Sequence, residues 1–347
     1  MKLTVDTEKA DPLFVYYYVS SEESRTKIVR DSELTGVPKT NLAYLRKFPI
    51  LLPPLAEQHA IARVLGSLDD KIESNRRTSR TLERQTRAIF RAWFVDFEPV
   101  KAKAAGARSF PSMPQEAFDA LPARLVESEL GPVPEGWEVG EIADIAMLSR
   151  AAVNPPEYPE EVFDHLSIPA FDDCKRPVVE LGRAIKSNKF AVTADCVLVS
   201  KLNPRTPRVW LPPTPGARRQ IASTEFLVTI PKEGWHRCYL YCLVQQQEFI
   251  EDMAKRASGT SNSHQRVKPS DYLETRIAIS SQSVRRAFED TAWPLLDLSR
   301  SVALENANLA ALRDYLLPKL LRGEVRVAAG SVRSMGEPTA ASRRKEA

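Results

Sequence analysis

Glycine is scarce. Only 13 of 347 residues are Gly, and none falls into GxxxxGK[ST] or GxGxxG, the spacings that let backbone amides cradle a nucleotide phosphate. No ATP or dinucleotide site is therefore expected, and no cofactor. The four cysteines (Cys174, Cys196, Cys238, Cys242) form no CxxC pair, and the four histidines do not complete a zinc set. They are read as buried thiols and loop contacts, with no metal. Long apolar runs are missing as well, and MKLTVDTEKADP holds no signal core, so neither a membrane span nor secretion is indicated and a cytoplasmic location is expected. One fragment, Asn154-Pro155-Pro156-Glu157-Tyr158, brushes against the Asn-Pro-Pro-aromatic motif of amino-methyltransferases. A glutamate interrupts it and no glycine-rich loop precedes it, so it reads as a proline-rich turn.

What is present is a duplicated pattern. Residues 56 to 94 are proline-free and rich in helix formers, with Ile61, Leu68, Asn75, Leu82 and Ile89 recurring every seven residues. Leu65, Ile72, Ser79, Thr86 and Trp93 make the companion series four residues on. Two such series describe a coiled-coil seam. A shift of 227 residues lands on a second register, with Phe288, Leu295, Val302, Leu309 and Leu316 on the first series and Ala292, Ser299, Asn306, Arg313 and Leu320 on the second. Helices over about 56 to 94 and 283 to 321 are expected to pair antiparallel, with a weak polar middle at Asn75, Ser79, Ser299 and Asn306. Upstream, the strand-like FPILLPP and TRIAISS correspond, and FVYYYVSS resembles CYLYCLVQ. The chain reads as two copies of a globular domain leading into a long helix, of which only the second is whole.

The globular stretch from Trp137 shows short β-like runs (CVLVS, RVWL, STEFLVTI) between proline and glycine turns, then a helix across YLYCLVQQQEFIEDMAKRA. Its charge is segregated. Residues 181 to 220 carry Arg183, Lys186, Lys189, Lys201, Arg205, Arg208, Arg218 and Arg219 against Asp195 alone, in a chain whose total is only +4. A basic patch of this kind suits a phosphate backbone, because each neutralised phosphate releases condensed counterion. Lys186, Lys189, Arg218 and Arg219 are expected on phosphates. Lys201, Arg205 and Arg208, around two prolines, are expected to aim at base edges with Asn262 and His264 of the SGTSNSHQR loop, next to Arg266.

At this point the residues resemble the DNA-specificity subunits of type I restriction-modification systems. FPILLPPLAEQHAIARVLGSLDDKIESNRR with AIFRAWFVDFEPVKAK looks like the family's central conserved region, LGPVPEGWEV like the entry to its second target-recognition domain, and LAALRDYLLPKLLRGEVRV like its C-terminal conserved helix. VSKLNPRTPRVW with IASTEF resembles one branch of the recognition domains. The resemblance implies an α+β fold, in which a mixed α/β target-recognition domain is joined to two long helices pairing as an antiparallel coiled coil. The division it implies is a remnant of a first recognition domain (1–49), the central spacer helix (50–100), a linker (101–136), the second recognition domain (137–282), the C-terminal spacer helix (283–325) and a disordered tail (326–347). It also implies a targeting subunit without catalysis of its own, with double-stranded DNA and the type I modification and restriction subunits as partners. Docking of the modification subunits is expected on the spacer helices, at Phe90, Trp93, Phe94 and Phe97. The front departs from the family's pattern, since a first recognition domain would begin roughly ninety residues before Met1. A fragment, or a half-subunit that pairs with a second copy, would each account for that. A catalytic DNA-modifying enzyme and a pure coiled-coil adaptor are the competing classes.

Overall fold

The computed structural model describes residues 4–32, 42–258 and 265–327, apart from the side chain of Cys174. The chain forms two compact units, one made of residues up to Ser79 together with those from Ser301 onward, the other of Arg80–Arg300.

The first unit opens with α1 (Pro12–Ser20), α2 (Glu22–Arg30) and α3 (Leu42–Arg46). Asp11 caps α1 by accepting from the Phe14 amide at 2.8 Å, and Pro12 sits in the first turn, where its missing N–H costs nothing. Ser21 ends α1, and its hydroxyl accepts from the Ser24 amide to start α2. The long helix α4 (Leu55–Phe94) begins in this unit, where Ile61, Ala62 and Leu65 pack with Phe14, Tyr17 and the far end of the second long helix at Leu320. Gln58 is buried and satisfied. Its amide donates to the Pro53 and Lys9 carbonyls, and its oxygen accepts from the Asp11 amide. FPILLPP does not form a strand. Residues 48–54 find no ladder partner among the described residues, and Pro53 and Pro54 remove two donors.

In the second unit, α4 runs on to Phe94, followed by α5 (Glu98–Ala104), α6 (Gln115–Asp119), the hairpin β1 (Leu125–Val126) and β2 (Val133–Pro134), β3 (Glu138–Glu141), α7 (Ile142–Ile145), β4 (Ala146–Ser149) and β5 (Ala152–Val153). Then come β6 (Val162–Leu166), α8 (Ile168–Cys174), β7 (Val178–Leu181), β8 (Lys189–Ala191), β9 (Val197–Ser200), β10 (Val209–Trp210), β11 (Arg219–Ala222) and β12 (Phe226–Pro231). Helices α9 (Arg237–Leu243), α10 (Gln247–Arg256) and α11 (Pro269–Leu273), strand β13 (Arg276–Ile279) and the second long helix α12 (Gln282–Leu321) close the chain. A four-stranded sheet runs β10-β9-β12-β4 and a five-stranded one β5-β8-β11-β6-β7, in which only β11 and β6 are parallel. Strand β9 is buried on both faces. Val197 and Val199 join the core under the helices, while Leu198 joins Phe226 and Trp210 in a second core, which is why CVLVS reads as an unbroken apolar run.

The duplication is structural. The series α9, α10, α11, α12 repeats α1, α2, α3, α4, and α4 and α12 each have 40 residues. TRIAISS does give a strand, β13, paired antiparallel with β3.

Three expectations need correction. The segment 101–136 is no free linker, because Met113, Phe118, Leu121 and Val133 are buried in the second unit's main core. Lys103 also donates to the carbonyls of Phe118, Asp119 and Leu121 at the end of α6. Phe90, Trp93, Phe94 and Phe97 are buried rather than displayed, packed against Phe288, Tyr239 and Trp137 with ring centroids 5.0 to 6.0 Å apart. Phe97 even adopts a left-handed backbone (φ 51°) to turn its ring inward.

The third correction concerns the seam. Ile61, Leu65, Ile72, Phe288, Ala292 and Leu320 are buried as expected, but Leu295 is only half-buried and Leu296 takes its place. Two four-residue steps in a row, 288 to 292 to 296, unwind the heptad locally, and Pro294, between them, removes one backbone donor from the helix. Leu68, Leu82, Ile89, Val302, Leu309 and Leu316 are likewise half-buried. Within the first unit the pairing is antiparallel, with Leu65 beside Leu316 and Leu317, Asp69 accepting from Arg313 at 2.7 Å, and Asn75 donating to Glu305 at 3.0 Å. Polar Asn75, Thr86 and Ser299 are buried along the two helices. Phe288→Ala should therefore destabilise the protein by ~3 to 5 kcal/mol in denaturant titration, and Leu65→Ala by ~2 to 5 kcal/mol. Leu68→Ala and Leu309→Ala should cost less than Leu65→Ala. Leu304→Ala, at a residue 63% exposed, should stay within ~0.5 kcal/mol.

Candidate nucleic-acid interface

The β9–β10 connection is the best-defined loop of the basic region. Thr206 donates to the Asn203 carbonyl at 2.8 Å, closing a turn with Pro204 at its second position and Arg205 at the exposed third. Asn203, in the left-handed region at φ 51°, is of the type that tolerates it. This loop is laced to the segment after α10. The Asn203 amide donates to Gln265, Val267 donates to Lys201, and Ser258 and Arg266 exchange both backbone bonds. The residues flanking 259–264 are thus held beside the Arg205 turn. Asn262 and His264 lie outside the described residues.

Folding pairs half of the basic run, four of its eight residues, with carboxylates from residues 160 to 172. Arg208 donates twice to Asp172, at 2.7 and 2.9 Å, and its side chain is 14% exposed. The guanidinium holds the Asp172 carboxyl below its usual range. Arg208 is a brace between β10 and α8, not the base reader expected. Arg218 bonds Asp164 at 2.6 Å, and Arg219 pairs with Glu161 at 3.6 Å over the rings of Tyr158 and Phe163. Arg183 pairs with Glu160. Arg266 donates to both oxygens of Glu225.

Lys189 is the clearest departure from an exposed polar run. It is 6% exposed, its ammonium donates to the backbone and hydroxyl oxygens of Ser187, and burial lowers its pKa. Among the described residues Lys186, Lys201 and Arg205 keep their charge without an ion pair. A count over residues 181–220 could not see this, because the partner carboxylates lie outside that window. It also missed Lys175 and Arg176, which leave the end of α8 through a left-handed Lys175.

Beneath the interface, Cys196, Cys238 and Cys242 are buried free thiols. Burial raises the Cys196 thiol to about 11. Burial also raises the Glu289 carboxyl to about 7, a shift that Arg237 partly opposes, and one Glu289 oxygen is buried without a hydrogen bond. Because the folded value lies above the unfolded one, ionised Glu289 costs stability above about pH 7, and the cost fades as pH falls toward the ordinary carboxylate range. Glu289→Gln should be more stable than the parent at pH 8, with the gap in unfolding midpoint closing near pH 5. A gap independent of pH would show that this carboxyl does not titrate as described.

Comparison with known proteins agrees with this architecture. Residues 1–84 match the type I restriction modification DNA specificity domain. The HindI specificity subunit of Haemophilus influenzae is 23% identical over 90% of this chain and 77% of its own length. The MjaIX specificity subunit of Methanocaldococcus jannaschii is 25% identical over 90% of this chain and 68% of its own. The crystal structure of a type I restriction-modification system S subunit from M. genitalium aligns with a TM-score of 0.53 at 16% identity, covering 91% of this chain and 74% of that one. The fold is the mixed α+β fold of these subunits, long helix included. The chain is a homologue of type I restriction enzyme specificity subunits. Among the described residues no helix is long and apolar enough to cross a membrane.

Proposed function

We propose that the chain is a sequence-specificity subunit of a type I restriction-modification complex, directing adenine methylation and restriction to a bipartite DNA target without a reaction centre of its own. The observation that carries the reading beyond homology is the Arg205 turn. Among the described residues neither the Arg205 guanidinium, at the exposed tip of a proline-stiffened turn, nor Lys201 has an ion pair, and the backbone of this loop is tied to Gln265 and Val267. A bidentate arginine contact to guanine is worth ~1 to 3 kcal/mol of discrimination. Arg205→Ala should relax the methylated motif at one position and leave protein level and non-specific binding intact. Motif sequencing of cells carrying the variant is the test. An unchanged motif would remove Arg205 from base reading.

Lys186 is the candidate phosphate contact of the run that has no ion pair among the described residues, and Asn262 and His264 remain base-reading candidates. Lys189, Arg208 and Arg266 act first as braces. Arg218 and Arg219 keep 50% and 41% of their side chains exposed, so they can exchange a carboxylate for a phosphate.

The modification subunits are proposed to dock on the spacer helices, and the aromatic end is replaced as the candidate. On α12, Leu304, Leu312 and Tyr315, spaced eight and three residues apart, expose large apolar side chains on one side of the helix. Changing Leu304 and Tyr315 to Ser should abolish co-purification with the modification subunit while the unfolding midpoint stays near that of the parent. Retained co-purification would remove this face from the docking site. The adaptor reading gains from the ion pairing of Arg183, Arg208, Arg218 and Arg219, and duplex binding by the purified chain decides against it.

A further inference from the structure

The outer face of α4 carries arginines that the seam does not use. Arg80, Arg84, Arg87 and Arg91 are spaced four, three and four residues apart, so at ~100° per residue they fall on one narrow stripe. Leu82, Thr86 and Trp93 lie on roughly the opposite side. Arg91 is engaged with Glu248 and Asp96. Among the described residues Arg80, Arg84 and Arg87 have no carboxylate partner. Arg84 and Arg87 donate through Nε only to the carbonyls of Arg80 and Glu83, one turn back, leaving the outer guanidinium nitrogens free. Gln245, Gln246 and Gln247 line a shallow groove beside Arg84, Arg87 and Arg91, with their amides donating to Tyr241, Cys242 and Glu251.

Contacts connect this stripe to the reading loop. Glu83, between Arg80 and Arg87, pairs with Lys175 at 3.8 Å, so its charge is compensated. Lys175 lies three residues after Asp172, which clamps Arg208, and Arg208 lies three residues after Arg205. A chain of ion pairs therefore leads from α4 across the end of α8 to the Arg205 turn, with exposed Arg176 beside it. The repeat gives a comparison. At the equivalent positions 227 residues on, α12 carries Ala307, Ala311, Asp314 and Pro318, so a 40-residue helix of this repeat does not need the arginines.

We infer that Arg80, Arg84 and Arg87, continued by Lys175 and Arg176, form a second contact with the DNA phosphate backbone, so that the spacer helix is part of the DNA-binding surface. The inference rests on the proposed function. From Arg80 to Arg87 the helix rises ~10 Å, close to the axial rise of three nucleotides in one strand at ~3.4 Å each. Arginine without a carboxylate partner, exposed at Arg80 and Arg84 and half-buried at Arg87, suits phosphate oxygens, because a guanidinium can donate two parallel bonds.

The test uses the full chain and a labelled mixed-sequence duplex, with anisotropy measured from ~50 to ~200 mM salt. Each neutralised phosphate contributes ~0.9 to the slope of log K against log salt, so R80Q/R84Q/R87Q should lower the slope by ~2 to 3 and weaken binding at the low-salt end at least tenfold. Arg25, Arg63 and Arg286, exposed elsewhere, changed together to Gln remove the same charge and should leave the slope nearly unchanged. Unfolding midpoints of both variants report any loss of fold. Binding by the parent with an unchanged slope in R80Q/R84Q/R87Q overturns the inference and leaves the function standing. An unchanged slope with lost co-purification of the modification subunit overturns it too, assigning the stripe to an acidic protein face. A parent chain that binds no duplex removes both.

Discussion

In the larger unit everything hangs on one aromatic cluster. Phe90 and Phe94 from the end of α4, Phe288 from the start of α12, Tyr239 from α9 and Trp137 from the entry to β3 meet mostly edge to face. A buried aromatic of this size is worth ~1.5 to 3 kcal/mol by burial, and a favourable ring pair ~0.5 to 1.5 kcal/mol more. The geometry matters as much as the energy. Tyr239 follows β12 by a short turn, and β12 is the neighbour of β9, so fixing Tyr239 against Phe90 orients the four-stranded sheet relative to the helix ends. The Arg205 turn springs from β9 and inherits that orientation. A loop built this way is aimed by the ends of α4 and α12, and the Asp172–Arg208 brace holds the turn's far side to α8.

Much of this was legible in the sequence because it is periodic. The heptad series and the shift of 227 gave two long antiparallel helices, and CVLVS and STEFLVTI gave strands β9 and β12. What escaped was whatever depends on residues distant in sequence. Leu296 displaces Leu295 because the partner it packs against selects the 288, 292, 296 row, which a strict seven-residue count passes over. Residues 101–136 looked like a linker from their prolines and small residues, yet Phe118 and Leu121 supply core that a proline count overlooks. FPILLPP and TRIAISS have similar composition, but only the second meets a partner strand, and a strand exists only as a pair. The candidate site was the least legible part. Local charge predicted one cationic surface, whereas Glu160, Glu161, Asp164 and Asp172 cancel half of it and leave the charge at the turn tips.

The polar content of the helix pair has a physical use. Asn75 donating to Glu305, and Asp69 receiving both Arg313 and the Tyr17 hydroxyl, add little net stability, since each ordered polar pair must first lose water. A slip of the helices by one turn would, however, leave the buried Asn75 amide without its partner, at ~1 to 3 kcal/mol, and would part Arg313 from Asp69. Apolar residues at half-buried positions such as Leu68 and Leu309 would accept several registers. Polar pairs that discriminate therefore fix one register where a uniformly apolar seam would allow several.

Duplication left two helices of equal length whose inner faces follow one pattern and whose outer faces have diverged. Positions 80, 84 and 87 on α4 are arginine, and their counterparts on α12 are Ala307, Ala311 and Asp314. Conversely, Leu304, Leu312 and Tyr315 on α12 correspond to Arg77, Gln85 and Ala88 on α4. Seam packing constrains the inner positions of both helices in the same way, so their periodicity persists. No packing term acts on the outer positions, which are free to take the chemistry of whatever lies against them. A cationic stripe on one helix and an apolar stripe on the other therefore point to two different neighbours, an anionic one beside α4 and an apolar one beside α12.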